Sequence, residues 1–215
     1  MNALPPTLRL FPLGEVVHFP DTLLPLHIFE PRYQQLLADS VASDGLIGMV
    51  LLRRASEDSQ PAVYEVGCAG NVREHKSLED GRSVVVLEGA VRFRIQRELQ
   101  CDELYRKAEV QALYEAPPEP EQSRVWAADL RKRIDGLVKV FGGDHASVDQ
   151  LFDRIDEVDL VNALSAALPL AMVEKQSLLE CPTVQNRYAR LVELLDFKEA
   201  EGRSGMSASV SGVEN

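Results

Sequence analysis

The sequence predicts an α+β protein, in which an amino-terminal antiparallel pseudobarrel with one inserted helix is followed by a carboxy-terminal helical subdomain. In the first half, short apolar runs are separated by turn residues, as is typical of strands. The segment Pro117-Pro118-Glu119-Pro120 then disfavours both helix continuation and ladder pairing, and the apolar residues beyond it recur at helical spacing. We therefore expect a β-rich domain over residues 1–116, a helical subdomain over 117–200 and a disordered tail over 201–215.

The first elements of the chain are two strands, a helix and a third strand. Leu8–Leu13 and Thr22–Phe29 have the composition of strands, and Pro25 requires the second to lie at an edge or a bulge because proline cannot donate a ladder hydrogen bond. Glu30–Val41 carries apolar residues at helical spacing. Leu46–Leu52 is apolar on both alternating faces, which predicts a central strand covered from two sides.

Two turns are predicted in the next part of the chain. Asp80-Gly81 tolerates positive φ values, so we expect it to join Val63–His75 to Arg82–Leu87 in a hairpin, and Glu88-Gly89 predicts a second turn immediately afterwards. In the strand that follows, apolar and polar residues alternate. We expect Val91, Phe93 and Ile95 to form its buried face, and Arg92, Arg94 and Gln96 its solvent-exposed face. Tyr105–Tyr114 is the predicted closing strand of a sheet that curls into a partly closed barrel.

Four helices are predicted beyond the prolines. Ser123 is the expected N-cap of the first helix and Gly142-Gly143 its end, with an apolar stripe of Trp126, Leu130, Ile134, Leu137, Val138 and Phe141. A second helix ends before Pro169 and uses Ile155, Val158, Val161 and Leu164. A short helix covers Ala171–Leu179, and Thr183 caps a last one bearing Tyr188, Leu191, Leu194 and Leu195. The Ser- and Gly-rich residues from about Gly202 bury too little apolar surface to offset the entropy of ordering.

Composition limits the class of protein. Of 215 residues, 45% are hydrophobic, which is enough for a core, and the net charge of -11 opposes a phosphate backbone. We find no secretion signal and no apolar stretch of membrane-spanning length, so we expect a cytoplasmic protein. The three cysteines are too far apart for a CxxC pair or a disulfide framework, and we expect packed thiols.

Several motifs follow one another in a fixed order along the chain. They are Leu8–Asp21 with Leu24–Glu30, Val66–Val72, Val86–Ile95 and Pro169–Glu180, which leads into the last helix. In this order they resemble the amino-terminal domain of ATP-dependent Lon proteases. The resemblance covers about residues 8 to 200. It implies a PUA-like pseudobarrel followed by a helical subdomain, acting in substrate recognition and in assembly of the protease.

The resemblance stops short of the catalytic parts of Lon proteases, which continue into an ATPase module and a serine–lysine peptidase module. The sequence has no Gly-x-x-x-x-Gly-Lys-Ser/Thr loop to hold nucleotide phosphates and no Gly-x-Ser-x-Gly elbow. We therefore expect no enzymatic activity and no cofactor. Glu174-Lys175 is interpreted as a helix ion pair rather than a catalytic pair.

No metal site is predicted. His18 and His27 stand near Asp21 and Glu30, but the two histidines are separated by nine positions of an extended, proline-interrupted segment that does not bring their rings together. His75 and His145 are more isolated. Packing or surface roles are favoured for all four.

The main hypothesis is that the chain binds unfolded or flexible polypeptide segments, or docks on a protease or chaperone partner. The candidate contact residues lie at the start of the first helix and in an early apolar loop that also contains Pro25, and are Phe19, Pro20, Phe29, Arg32 and Tyr33. Tyr33 lies in phase with Leu36 and Leu37, so a core role is an equal alternative for it.

The alternative hypothesis is an RNA-binding PUA-like module. It depends on a basic strip around the predicted hairpins, formed by Arg73, Lys76, Arg82, Arg92, Arg94 and Arg97. Neighbouring acids oppose phosphate contacts there, and they are Glu74, Glu79, Asp80, Glu88 and Glu98. A solvated face of mixed charge is the favoured interpretation of this strip.

Overall fold

The computed structural model describes residues 3–53, 61–78, 82–142 and 144–210. Within them the strands are β1 (Thr7–Leu13), β2 (Leu23–Ile28), β3 (Leu46–Leu51), β4 (Val66–Ser77), β5 (Ser83–Leu99) and β6 (Arg106–Leu113). The helices are α1 (Pro31–Val41), α2 (Pro120–Phe141), α3 (His145–Arg154), α4 (Leu160–Ala167), α5 (Met172–Leu179) and α6 (Val184–Val210). The predicted α+β class, with one helix inserted among the strands and helices following them, is confirmed.

The strands form one sheet that closes on itself. Their order is β2-β5-β4-β3-β1-β6, and an additional pairing of β5 with β6 completes a ring of five strands. β2 pairs with β5 outside this ring, which places Pro25 on an edge strand as predicted, and β3 lies between β4 and β1 as the expected central strand. The expectation of a wholly antiparallel sheet is wrong for one pair, because β1 and β3 run parallel. The connection through β2 and α1 is long enough for that crossover.

The predicted turn at Glu88-Gly89 does not form, because β5 continues through both residues. A Cβ atom on Gly89 would lie 2.0 Å from the carbonyl oxygen of Phe19, so glycine is required here for a close backbone approach rather than for a turn. The pairing of β4 with β5 shifts register beside it, between Ala69 and Gly70. The other predicted turn, Asp80-Gly81, lies outside the described residues.

A cluster of buried apolar side chains packs around α1 and includes Phe11 and Tyr33. The Tyr33 ring meets Phe11 edge-on at 3.9 Å between centroids, and its hydroxyl donates to the Pro12 carbonyl at 2.9 Å. Pro31 occupies the first turn of the helix, where its missing N–H is harmless. Ile28, Leu36, Leu37, Ile47, Met49, Val85, Leu87 and Tyr105 are buried in the same cluster.

The helices differ from prediction in three places. α2 begins at Pro120 with Glu119 as N-cap, so Ser123 lies inside its first turn, where its amide donates to the Glu119 carbonyl at 2.9 Å. The predicted second helix is two helices, α3 and α4, and Ile155 and Val158 lie in the connection between them. α6 extends to Val210, into the predicted disordered tail, and residues 211–215 lie outside the described part.

Within the last helices, two predictions hold. α5 begins after Ala171 as expected. Thr183 caps α6 through its hydroxyl oxygen, which accepts from the Asn186 amide at 3.1 Å.

The contacts divide the chain into two compact units. The β unit consists of the residues up to Tyr114 together with Ser165–Glu180, and the helical unit consists of Glu115–Leu164 and the residues from Cys181 onward. The first boundary lies near the one expected after residue 116. The sequence predicted one continuous helical subdomain over residues 117–200. In the structure the segment that carries α5 groups with the strands instead.

Two buried polar contacts hold that segment in the β unit. The Arg92 side chain is 2% exposed, and its Nη1 donates to the Leu179 carbonyl at 2.8 Å. The side-chain amide of Gln176 donates through Nε2 to the Val66 carbonyl at 3.0 Å. The prediction that Arg92 faces water is therefore wrong: it is a buried cation whose partner comes from far along the chain.

The helical unit has its own buried centre. The Trp126 and Tyr188 rings are stacked, 4.7 Å apart, and the Tyr188 hydroxyl donates to Asp129 at 2.7 Å. Arg187 is fully buried and donates to the Asn162 side chain at 2.6 Å and to the Glu115 carboxylate at 3.0 Å. A buried arginine needs such a complete set of partners to offset its desolvation.

We expect a fragment of residues 1–116 to be unstable, although the proline segment after it looks like a domain boundary. The fragment lacks residues 165–180, so it loses the hydrogen bonds of Arg92 to Leu179 and of Gln176 to Val66 and the burial of Leu178 and Leu179, at a combined cost of about 3–5 kcal/mol. Urea unfolding followed by circular dichroism, with residues 1–200 as the reference, measures this. A fragment that unfolds cooperatively with the stability of the reference would contradict the division described above.

We expect Gly89→Ala to destabilise the protein by about 1–3 kcal/mol, because the added methyl group meets the Phe19 backbone. Gly14→Ala is the matched control, since a Cβ atom at Gly14 has nothing within 4 Å. The free energies of unfolding of both variants can be compared in urea. Equal effects of the two substitutions would show that the close approach at Gly89 is not a constraint.

Candidate functional site

The edge strand β2 presents apolar side chains on its outward face. Leu24, Leu26 and Ile28 pack against the core cluster, so the alternate residues point away from it. These alternate residues are all exposed, and we call them the edge face: Leu23, Pro25, His27 and, directly after the strand, Phe29. Leu23 is 66% exposed and Phe29 63%. Such large apolar groups in water mark a surface that can bury area against another molecule.

The edge face continues onto the neighbouring strand. Val86 is paired with Pro25 and Val84 with His27, and both valines are half-buried. Directly paired residues share one face of a sheet, so these side chains extend the apolar surface inward from the edge. At its end, Glu88 is paired with Leu23 and forms an ion pair with Arg73 at 3.0 Å.

The backbone of β2 limits how a ligand can bind. In the described part of the chain β2 pairs with β5 alone, so its other side is a free edge. Pro25 has no N–H group in the middle of this edge and cannot donate to an added strand. The edge is therefore better suited to contacts through side chains than to extension of the sheet.

The start of α1 adds a polar border and a second apolar group. The exposed Arg32 guanidinium forms an ion pair with Glu30 at 2.8 Å and lies 4.5 Å from the centre of the Tyr33 ring. One turn further along, the Gln35 side chain accepts a hydrogen bond from the Leu104 amide at 2.9 Å. The Leu104 side chain is 64% exposed.

The structure separates the five residues that the sequence nominated for polypeptide binding. Phe29 and Arg32 are exposed, whereas Phe19, Pro20 and Tyr33 are buried. The buried three support the surface from below and cannot contact a ligand without rearrangement. Sequence reasoning had offered Pro25 as part of the apolar loop but missed Leu23 and His27, although the period-two alternation of this segment on a proline-bearing edge strand was a usable signal.

The nominated basic strip is largely paired with acids. Arg73 pairs with Glu88, Arg94 with Glu65 at 3.5 Å, and Arg97 with both oxygens of Glu109. Arg92 is buried, as described above. These contacts leave little of the strip's positive charge for phosphates.

The residues considered for chemistry are dispersed or structural. Among the described residues there is no group of three or more His, Cys, Asp or Glu side chains that could hold a metal ion. Glu174 accepts a hydrogen bond from the Ala171 amide at 2.7 Å, and the Lys175 amine donates to the Ala166 carbonyl. Cys68 is buried and Cys101 exposed. In the same part of the chain, no helix has the length and apolar character needed to cross a membrane.

His18 is buried beneath the loop that leads into β2. It is 3% exposed, and its Nε2 atom has no hydrogen-bond partner in the described structure. Burial lowers its pKa to about 4. His27 is exposed on β2 whereas His18 is buried, and among the described residues neither belongs to a group that could hold a metal ion.

Comparison with known proteins gives consistent results. The family model described as ATP-dependent protease La (LON) substrate-binding domain matches residues 7–196. Lon protease 2 of Syntrophobacter fumaroxidans is 29% identical over 183 residues, which are 84% of this chain and 23% of that protein. Lon protease of Rhizobium meliloti is 29% identical over 202 residues, 91% of this chain and 24% of that protein. The chain thus spans about a quarter of the length of these relatives.

Two solved structures share the fold. The Lon N-terminal domain protein from Xanthomonas campestris has a TM-score of 0.62 and 25% identity, covering 87% of this chain and 97% of that one. The N-terminal domain of Mycobacterium avium complex Lon protease has a TM-score of 0.67 and 16% identity, covering 88% and 98%. At 16% identity the second likeness concerns the fold alone.

We expect His18 to make the protein sensitive to acid. Because its pKa is near 4 in the folded chain and near 6.5 when unfolded, the unfolded state binds more protons between these values. The free energy of unfolding therefore decreases by about 3 kcal/mol as the pH falls from 6.5 to 4. Above pH 6.5 His18 is neutral in both states and does not make the stability depend on pH. Urea unfolding of His18→Leu across this range should show a shallower decline than the unsubstituted protein. The exposed His75→Gln serves as control, and an equal decline in all three proteins would contradict the expectation.

Proposed function

Because this chain belongs to the family of Lon protease substrate-binding domains, we propose that it recognises exposed apolar segments of other polypeptides through the edge face. The family match supports a role in substrate recognition. The single structural observation that carries the choice of surface is the outward alternation of Leu23, Pro25, His27 and Phe29 on a strand with a free edge.

The chemistry of this recognition is burial of apolar side chains. Transferring a fully exposed Leu or Phe side chain out of water contributes about 1.5–3 kcal/mol, and Leu23 and Phe29 are each about two-thirds exposed before binding. Part of this gain offsets the entropy lost on association. A single domain therefore binds weakly, with a dissociation constant on the order of micromolar or higher, and useful affinity needs several contacts or copies.

The bound segment contacts the edge face through its side chains rather than through backbone hydrogen bonds. Pro25 interrupts the row of backbone donors, so a partner strand does not gain a regular ladder there. An extended segment with apolar residues at alternate positions has the same period as the edge face and can place its side chains between them.

We assign the chain a binding role without catalysis of its own, either in presenting polypeptides to a protease or in docking on a protease or chaperone partner. This assignment is supported by the match to a substrate-binding domain and by the dispersion of the candidate catalytic groups described above. Proteolysis is named for the relatives, of which this chain matches about a quarter.

RNA binding is the less favoured function. Counterion release requires several free cationic contacts, and the arginines on β4 and β5 are mostly paired with carboxylates or buried.

We expect the double substitution Leu23→Ala/Phe29→Ala to weaken binding of an extended apolar peptide about tenfold or more, through loss of buried area. Fluorescence polarisation with a labelled peptide that has Leu or Phe at alternate positions, and with its Ser-substituted version, measures this. Val173→Ala is the control, because Val173 is 62% exposed in the same unit but lies on α5.

The same assay tests the mode of binding. N-methylation of the peptide backbone blocks ladder hydrogen bonds and should leave the affinity almost unchanged. Equal weakening by Val173→Ala and the double substitution, or no preference over the Ser peptide, would reject the edge face as the site. Strong weakening by N-methylation would instead show that binding proceeds by strand addition.

A further inference from the structure

The helical unit contains a groove between α2 and α6 that the proposed function does not use. It encloses about 650 Å³ and is lined by charged residues of both helices. Near one end the helices touch closely, since a Cβ atom on Gly202 would lie 2.5 Å from the Phe141 ring. Gly136 lies between Lys132 and Lys139 on α2 and has no side chain to fill the groove.

The acidic side chains of this groove are already engaged. Arg133 forms ion pairs with Asp129, at 2.8 Å, and with Asp196, and Arg203 pairs with Glu199. Burial alone would raise the pKa of Asp129, but the hydrogen bonds from Arg133 and Tyr188, together with the positive charges of Arg133 and Lys132, outweigh it and lower that pKa. All three carboxylates are therefore held by the two arginines of the groove itself.

Two lysines lie outside these ion pairs. Neither Lys132 nor Lys139 forms an ion pair in the described part of the chain, although the charge of Lys132 helps to lower the Asp129 pKa, and the lining as a whole carries one more cationic than acidic side chain. Both are exposed. In a chain of net charge -11, such a cationic surface stands out against its surroundings and attracts anionic groups locally.

We propose that this groove binds an acidic segment of a partner polypeptide, whose carboxylates pair with Lys132 and Lys139. The two lysines are seven residues apart on one helix, which separates their backbones by about 10 Å. This spacing favours two anionic groups over one compact ion. In a polyproline-II-like segment, which has three residues per turn and rises about 3.1 Å per residue, it corresponds to acidic residues three positions apart on one face.

The carboxylates of the groove distinguish an acidic polypeptide from a nucleic acid. A nucleic acid places a phosphate at every nucleotide and would bring several of them against Asp129, Asp196 and Glu199. A polypeptide can place uncharged residues there and its acids only beside the lysines. The charge pattern thus fits an acidic peptide better than a continuous phosphate backbone.

The test uses the whole chain and a labelled peptide with glutamates three positions apart, separated by serines. We expect weak binding at low salt that falls steeply as salt is added, because exposed ion pairs are screened. The substitution Lys132→Gln/Lys139→Gln should lower the affinity roughly fivefold or more, without changing the melting temperature. Lys76→Gln, an exposed lysine of the β unit, removes charge elsewhere and should have little effect.

Three results would overturn the proposal. They are binding equal to that of a peptide with glutamines in place of glutamates, equal effects of Lys76→Gln and the double substitution, and tighter binding of a single-stranded oligonucleotide that is lost in the double variant. The apolar peptide of the preceding assay should bind the Lys132→Gln/Lys139→Gln variant with unchanged affinity. The proposals for the edge face and for the groove can therefore be supported or rejected independently.

Discussion

The buried guanidinium of Arg92 is the constraint on which the organisation of this chain depends. A charge removed from water must be given hydrogen-bond partners inside the protein, and one of these is the Leu179 carbonyl, far away in sequence. The chain therefore forms its strands, leaves for the helical unit and returns with α5 before completing that unit with α6. The β unit is thus built from two separate parts of the sequence, and the proline segment marks the first crossing between units rather than a simple end.

Closure of the sheet leaves one strand outside the ring. Pairing of β5 with β6 closes the other five strands on themselves, and in the described residues β2 pairs with β5 on one side only. That strand is held close to the ring by the approach of the Phe19 backbone to Gly89, and its free edge is interrupted by Pro25. A protein can keep such an edge without uncontrolled strand pairing because the proline removes a donor, while the outward side chains remain available for specific contacts.

Charge pairing gives the two candidate surfaces different chemistry. Most arginines on the strands face carboxylates, so the β unit offers an apolar surface with a compensated border, as membership in a substrate-binding family leads one to expect. In the helical unit the carboxylates that line the α2–α6 groove form ion pairs with its two arginines. Lys132 and Lys139 take no part in these ion pairs. An overall charge of -11 thus coexists with a local cationic site, which composition alone does not reveal.

The sequence by itself determined the fold class and most strand and helix positions, because periodicity and proline signals act over a few neighbouring residues, and the order of its motifs indicated the family. It also placed Pro25 at an edge and Phe29 in the candidate site. Only the tertiary structure decided that Gly89 continues a strand, that Arg92 is buried, and that Phe19 and Tyr33 lie inside while Leu23 lies outside. Those outcomes depend on which distant segment covers each face, and a local pattern carries no information about partners far along the chain.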